Sequence, residues 1–266
     1  MPRQRVWLNW SVKIVGAVEC DGLINMKITN SQADKLGEEI REYGPDEDRF
    51  ERLSDYARTF IRPYEEVRRI LVDGMGLTVT GRPLKSMTSI VEKLNREHAR
   101  LSQIQDIAGL RVVVGSLQHQ DFLVEELHKY LVRPKVFDRR QKAVHGYRAV
   151  HIIERRGGQN IEIQLRTRFQ NGWADTSEKI AEEFGQGIKY GIGSPSVLST
   201  LRDYSDALWT LDKIRADQLN LKHKRPLQYH KVSTAVGRSR VRNDLERADR
   251  LCVVSITEIL NRKLEK

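Results

Sequence analysis

The chain has 266 residues, 39% hydrophobic and 31% charged, a balance that supports a packed core and excludes a disordered polymer. Its formal net charge of +10 points to anionic partners, and its two cysteines, Cys20 and Cys252, lie in no CxxC or Cys/His cluster, which excludes a zinc ribbon and a disulfide framework. No apolar run approaches the ~20 residues of a membrane span, and Asn9 and Lys13 interrupt the apolar N-terminal stretch, so a cytoplasmic protein without a signal peptide or membrane contact is expected.

In chain order, residues 6–19 read as a short strand, and 30–75 carry a helical pattern broken near 43–48. Within that pattern Leu53, Ala57, Ile61, Tyr64 and Val67 recur at three and four and form an apolar stripe. Residues 77–80 read as a strand, 86–97 as a helix, and the β-branched run 107–114 as a largely buried strand. A helix near 119–130, strands near 133–137, 147–155 and 160–167, and a helix over 168–184 follow. The Gly- and Ser-rich stretch 185–196 is the best linker, with helices beyond it at 196–216 and 241–263 and a loop around Pro226. Interleaved strands and helices between 77 and 185 argue for one α/β core. The chain divides into an N-terminal extension (1–48), a core (49–190) and a basic, helical C-terminal region (191–266). From Lys222 to Lys266 there are twelve Lys/Arg against five Asp/Glu, so most of the positive excess sits in the tail.

The stretch "IEIQLRT" at 161–167 alternates Ile161, Ile163 and Leu165 with Glu162, Gln164 and Arg166. That is a strand with one oily face and one carrying a carboxylate, an amide and a guanidinium. Upstream, Lys85, Ser89 and Lys93 are spaced four apart and share a helix face, with Arg82 at the strand-to-helix turn before them, a good phosphate cradle. Asp106 opens the buried strand, Gly109 permits close backbone approach, and Arg111 needs a partner or a ligand within an apolar run. Asp106 and Glu162 are a candidate pair for magnesium, which takes one or two carboxylates together with substrate phosphates. The loop at 138–151 gathers Arg139, Arg140, Lys142 and Arg148 around Gly146 and Tyr147, with His151 on Tyr147's face. Cations for phosphates and a ring for a base suit a nucleotide. Trp173 is expected to anchor the following helix to the sheet. Each feature also has a bland reading, as solvated helix face, turn cap, polar hairpin or core aromatic.

Taken in order, "KSMTSIVEKL", "QDIAGLR", "HGYRAVH", "IEIQLRT" and "WADTSEK" resemble the synthetase domain of RelA/SpoT-type alarmone synthetases over about residues 50–190, in the small alarmone synthetase subgroup. The resemblance implies a nucleotidyltransferase-like mixed β-sheet flanked by helices, with helical additions at both ends. It implies transfer of the β,γ-pyrophosphate of ATP to the ribose 3′-hydroxyl of GDP or GTP with Mg2+. By motif, Asp106 and Glu162 would be the catalytic and metal-binding carboxylates, and Arg82, Lys85, Ser89, Lys93 and Arg111 the ATP side. Lys142, Tyr147, Arg148, His151 and Gln164 would form the acceptor side, with Tyr147 stacked on guanine. The chain has "RPLK" where many members have Arg-x-Lys, and "GYRA" where "GYRS" is common. It has no His-Asp dipeptide, so synthesis without an HD-type hydrolase is expected. Small members imply a homo-oligomer built through terminal helices, for which Val241, Leu245, Ala248, Cys252 and Ile259 offer an apolar stripe. Two alternatives stand beside this reading. One is a toxin-type relative that pyrophosphorylates the 3′ end of tRNA and is held by an antitoxin, favoured by the basic tail. The other is a nucleic-acid-binding module without catalysis.

Overall fold

A computed structural model of the chain describes residues 28–222. The expected strand at 6–19, the loop at Pro226, the helix at 241–263 with its apolar stripe, both cysteines and nearly all of the basic tail lie outside the described residues.

Helix α1 (Asn30–Tyr43) opens on a capping box between Thr29 and Gln32, and Gly44, at φ 77°, ends it. Asp46 caps α2 (Glu47–Arg58) by accepting from Arg49 N–H at 2.9 Å. The helical stretch expected to run on to 75 breaks a second time. The Thr59 hydroxyl donates to the Tyr56 carbonyl, and Pro63, having no N–H, cannot carry the helical ladder through from α2. Pro63 instead sits in the first turn of α3 (Ile61–Arg69), which runs into a π turn at Ile70–Gly74. The apolar stripe does face inward: Leu53, Ala57, Tyr64 and Val67 are buried, while Ile61 is partly so.

Five strands follow, with three helices among them. They are β1 (Val79–Arg82), α4 (Met87–Glu97), β2 (Ala108–Val114), α5 (Leu117–Tyr130), β3 (Lys135–Asp138), β4 (Val150–Arg156), β5 (Gln159–Thr167) and α6 (Arg168–Phe184). The sheet order is β1-β2-β5-β4-β3; β2 and β5 are parallel and every other pair is antiparallel. The mixed α/β architecture read from the sequence is therefore what the chain adopts. The first strand starts two residues later than the apolar run, and β4 begins at Val150, leaving Tyr147 in an isolated bridge with Val144.

Register decides what each face carries, because cross-strand partners point the same way. Leu110, Val112, Val150, Ile152, Ile161, Ile163 and Leu165 share one face and are buried, packed with Leu123 and Leu127 of α5, Ile90 and Leu94 of α4, and Tyr64 and Val67 of α3. The pairings Arg82↔Gly109↔Glu162↔Ile153↔Lys135 and Arg111↔Gln164↔His151 run across the other face.

A second apolar cluster joins α6 to α7 (Pro195–Lys222) through Trp173, Ile180, Val197, Leu201 and Leu208. Trp173 was expected to anchor α6 to the sheet. Its indole N–H instead donates to the Leu201 carbonyl of α7 at 2.8 Å. The Gly-rich stretch between the two helices is also packed: Gln186–Tyr190 is a 3-10 turn, and Ile188 is buried in the same cluster.

Candidate active site

The donor-side cluster is built by local chemistry. Ser86 caps α4, its hydroxyl oxygen accepting from Ser89 N–H at 3.2 Å, while the Lys85 N–H donates to the Ile107 carbonyl at 2.7 Å. That bond pins the start of α4 to the entry of β2, so Lys85, and Lys93 two turns on, both reach Asp106. Lys85 Nζ lies 2.8 Å from Asp106 Oδ2, and Lys93 Nζ 2.8 Å from Oδ1. Burial alone would push the Asp106 carboxyl up, but the two ammonium groups outweigh it and bring it down to about 2. Asp106 is ionised at any working pH, and each lysine carries a counter-charge that a phosphate could share. Ser89 completes this end, its hydroxyl accepting from that of Ser86 at 2.7 Å. Arg82 is exposed at the end of β1, opposite Gly109.

On β5, Glu162 is 6% exposed. Its Oε1 lies 2.7 Å from His151 Nδ1, and its Oε2 accepts from Gln164 Nε2 at 2.7 Å. Burial raises this carboxyl, and His151 and the Gln164 amide together more than offset it, leaving Glu162 below the usual carboxylate range. Its register partner on β2 is Gly109, where an added Cβ would meet nothing within 4 Å. The missing side chain leaves open space directly beside the buried carboxylate.

Tyr147 faces His151, its hydroxyl 2.7 Å from Nε2 with the rings edge-on at 5.5 Å. Arg111 is partly buried. Its nearest carboxylate, Asp175, is 3.8 Å away, and its Nε has no hydrogen-bond partner among the described residues. Burial and the neighbouring Arg166 guanidinium both lower its pKa. Lys142 is exposed on the loop before Tyr147.

Arg148 does not join this group. It is 9% exposed, donates from Nε to Ser205 Oγ at 3.3 Å, from Nη2 to Asp206 at 2.6 Å and from Nη1 to the Arg140 carbonyl, and lies over the Trp209 ring. It ties the loop to α7, because Arg148, two residues before β4, turns toward Ser205 and Asp206 rather than the polar face. Arg140 is likewise spent on Asp138 and Asp121.

Two further sets of residues join the site in three dimensions. Arg166 is 5% exposed and touches both Tyr147 and Gln164. Its alternation with Glu162 and Gln164 could have singled it out. A cavity of about 730 Å³ is lined by Lys93, Arg133, Lys135, Arg139, Ile153 and Arg155 among others, with Glu97 the one carboxylate in its lining. Lys93 connects this cavity to Asp106, and Ile153, the register partner of Glu162, connects it to the other carboxylate. Nothing in the linear order of the lining cations marks them as neighbours.

A mixed sheet with two carboxylates and a ring of Lys and Arg on one face defines an α/β protein suited to polyphosphates. Residues 81–182 match the family described as the region found in RelA / SpoT proteins, the stretch that holds the motifs quoted above. An uncharacterized protein of Mycobacterium tuberculosis is 39% identical over 118 residues, 43% of either chain. The GTP pyrophosphokinase YwaC of Bacillus subtilis is 29% identical over 122 residues, 36% of this chain and 54% of that one. The matches thus span less than two thirds of either relative. The crystal structure of the small alarmone synthetase 1 from Bacillus subtilis bound to its product pppGpp has the same fold, with a TM-score of 0.51 at 22% identity over 64% of this chain and 97% of that one. Among the described residues, no helix is long and apolar enough to cross a membrane.

Proposed function

We propose that the chain is an alarmone synthetase that moves the β,γ-pyrophosphate of ATP to the 3′-hydroxyl of GDP or GTP. The observation that carries this reading is the juxtaposition of two ionised carboxylates, Asp106 and Glu162, on a sheet face that opens into a cation-lined cavity.

In the transfer, the acceptor 3′-oxygen forms a bond to the β-phosphorus, the α,β-bridging P–O bond breaks, and AMP leaves. Little covalent help is needed; positioning and charge neutralisation dominate such reactions. Lys85, Lys93 and Arg111 would carry the triphosphate, with Ser89 and Arg82 at its edge. Glu162 would accept the proton of the 3′-hydroxyl over the gap at Gly109. His151 holds that carboxylate through Nδ1, and Tyr147 offers a ring to the acceptor base.

Magnesium fits this donor set. Each oxygen of Asp106 and Glu162 engages one hydrogen-bonding group, leaving a lone pair for a hard cation. Among the described residues no cluster of three or more His, Cys, Asp or Glu forms a full cage, which suits an ion that takes few protein ligands and keeps water and phosphate oxygens. When bound, it would supply charge neutralisation on the phosphates.

The test is purified protein with γ-labelled ATP and Mg2+, offered GDP, GTP, AMP and bulk tRNA in parallel. Label on GDP or GTP is the expected result. Label on tRNA alone would put the toxin-type alternative first, and label on no acceptor would reject the enzyme.

A further inference from the structure

Five side chains on the polar face close a ring of hydrogen bonds. Tyr147 Oη lies 2.7 Å from His151 Nε2, and His151 Nδ1 lies 2.7 Å from Glu162 Oε1. Gln164 Nε2 donates to Glu162 Oε2 at 2.7 Å. Arg166 Nη2 closes the circuit, donating to Gln164 Oε1 at 2.9 Å and to Tyr147 Oη at 3.1 Å. With a proton on His151 Nδ1, each contact of the ring pairs a donor with an acceptor: Nδ1–H faces the carboxylate, and Nε2 accepts from the phenol.

Arg166 is the cationic member that sets the direction of this ring. It is 5% exposed, and no carboxylate approaches its guanidinium within 4.0 Å among the described residues. Its Nε and Nη1 are buried without a partner. A buried cation is costly unless something compensates it. Here the compensation arrives through one amide, since Gln164 stands between Arg166 and the charge on Glu162. That arrangement has a consequence for Gln164. Its carbonyl must face the guanidinium, so its NH2 must face Glu162. With no cation at 166 the amide oxygen loses its donor, and the bond to Glu162 alone is left to orient the side chain. The same guanidinium also lies 5.2 Å over the centroid of the Tyr147 ring, so ring plane and hydroxyl are both fixed by one side chain.

We propose that Arg166 is a positioning residue that couples the aromatic platform for a purine nucleotide acceptor, Tyr147, to the carboxylate that receives the acceptor's proton, Glu162. This rests on the roles given to those two residues above. An acceptor base that stacks on Tyr147 meets a ring already held at a set distance from Glu162. Losing Arg166 therefore loosens acceptor binding and acceptor orientation together, and leaves the part of the ATP side built on α4 and Asp106 untouched, with Arg111 the one ATP-side residue beside it.

The experiment compares wild type with Arg166→Gln and Arg166→Lys, using GDP as the acceptor probe. Both variants are expected to raise the acceptor KM and lower kcat, each by about ten-fold, with the ATP KM within about two-fold of wild type. Lysine retains the charge but can neither fork between two acceptors nor lie flat on the ring. A residue that merely supported the fold would lower the melting temperature and the active fraction while leaving both KM values where they were, and that pattern would overturn the coupling. Should Arg166→Gln fail to fold, Arg166→Lys still carries the KM comparison. One readout needs no turnover. The guanidinium holds the Tyr147 phenol down against the rise that burial causes. Phenolate absorbance, taken as a difference against Tyr147→Phe in each background, should therefore form at higher pH without Arg166. An unchanged titration rejects the ring even in a protein that transfers nothing, whereas wild type inert toward every acceptor with a shifted titration keeps the ring and rejects the reaction.

Discussion

Replacing Asp106 by Asn tests the donor-side cluster through stability and activity at once. The shape is retained, while the charge that Lys85 and Lys93 share is removed. A carboxyl held at about 2 rather than its ordinary 3.8 favours the folded state by about 2.5 kcal/mol at neutral pH. The Asp106 side chain is 26% exposed, so solvent screening reduces a realistic figure to about 1–2 kcal/mol. The sign follows from the lowered value: this stabilisation is complete above the unfolded pKa, near pH 4, and is lost as pH falls through about 2. The variant should thus melt roughly 3–6 °C lower at pH 7 and lack the loss of stability that wild type shows between about pH 4 and 2. The measurement is thermal unfolding followed by circular dichroism across pH with chelator present, so that no divalent cation contributes. Pyrophosphate transfer by the same variant should fall by on the order of 100-fold or more. A variant with the wild-type melting point and an unchanged acid limb would mean that the two lysines do not hold Asp106 and that the cluster is wrongly drawn.

Glu162→Gln should fold normally and lose on the order of 100-fold or more in transfer rate; activity within a few-fold of wild type would remove Glu162 from the reaction. Tyr147→Ala should weaken acceptor binding by about 1–3 kcal/mol with little change for ATP, and calorimetric titrations giving equal losses for both would reduce Tyr147 to a packing role. Asp212 is 1% exposed on α7, accepts from the Thr167 hydroxyl at 2.6 Å, and is pushed by burial up to about 6. A carboxyl raised from 3.8 to about 6 costs about 3 kcal/mol above pH 6, a cost that fades as pH falls to about 4. Asn at this position leaves one buried amide N–H where Oδ1 now has no partner, so the net gain at pH 7 should be about 1 kcal/mol, absent at pH 4. Urea midpoints that are unchanged or lowered at pH 7 would contradict it.

The local chemistry of this chain was legible in its sequence. Alternation along 161–167 assigned Glu162, Gln164 and Arg166 to one face, because a strand's period is fixed by its backbone and not by its neighbours. The i, i+4 spacing of Lys85, Ser89 and Lys93 placed three polar groups on one side of a helix for the same reason. The order of the motifs then pointed to the family whose model matches residues 81–182. What each polar face meets was not legible, because strand pairing joins residues far apart in the chain and a one-residue slip reverses every side chain. Only the β2–β5 register puts the empty space of Gly109 beside Glu162, and only the β4–β5 register brings His151 to its carboxylate. Arg148 and Trp173 were misread on that account: their neighbours are Asp206 and Leu201, more than twenty residues away on α7, and no local pattern announces them. The cations of the cavity come from three separate stretches, at 93, 133–139 and 155, and they become one site only when the sheet folds α4, β3 and β4 around the same space.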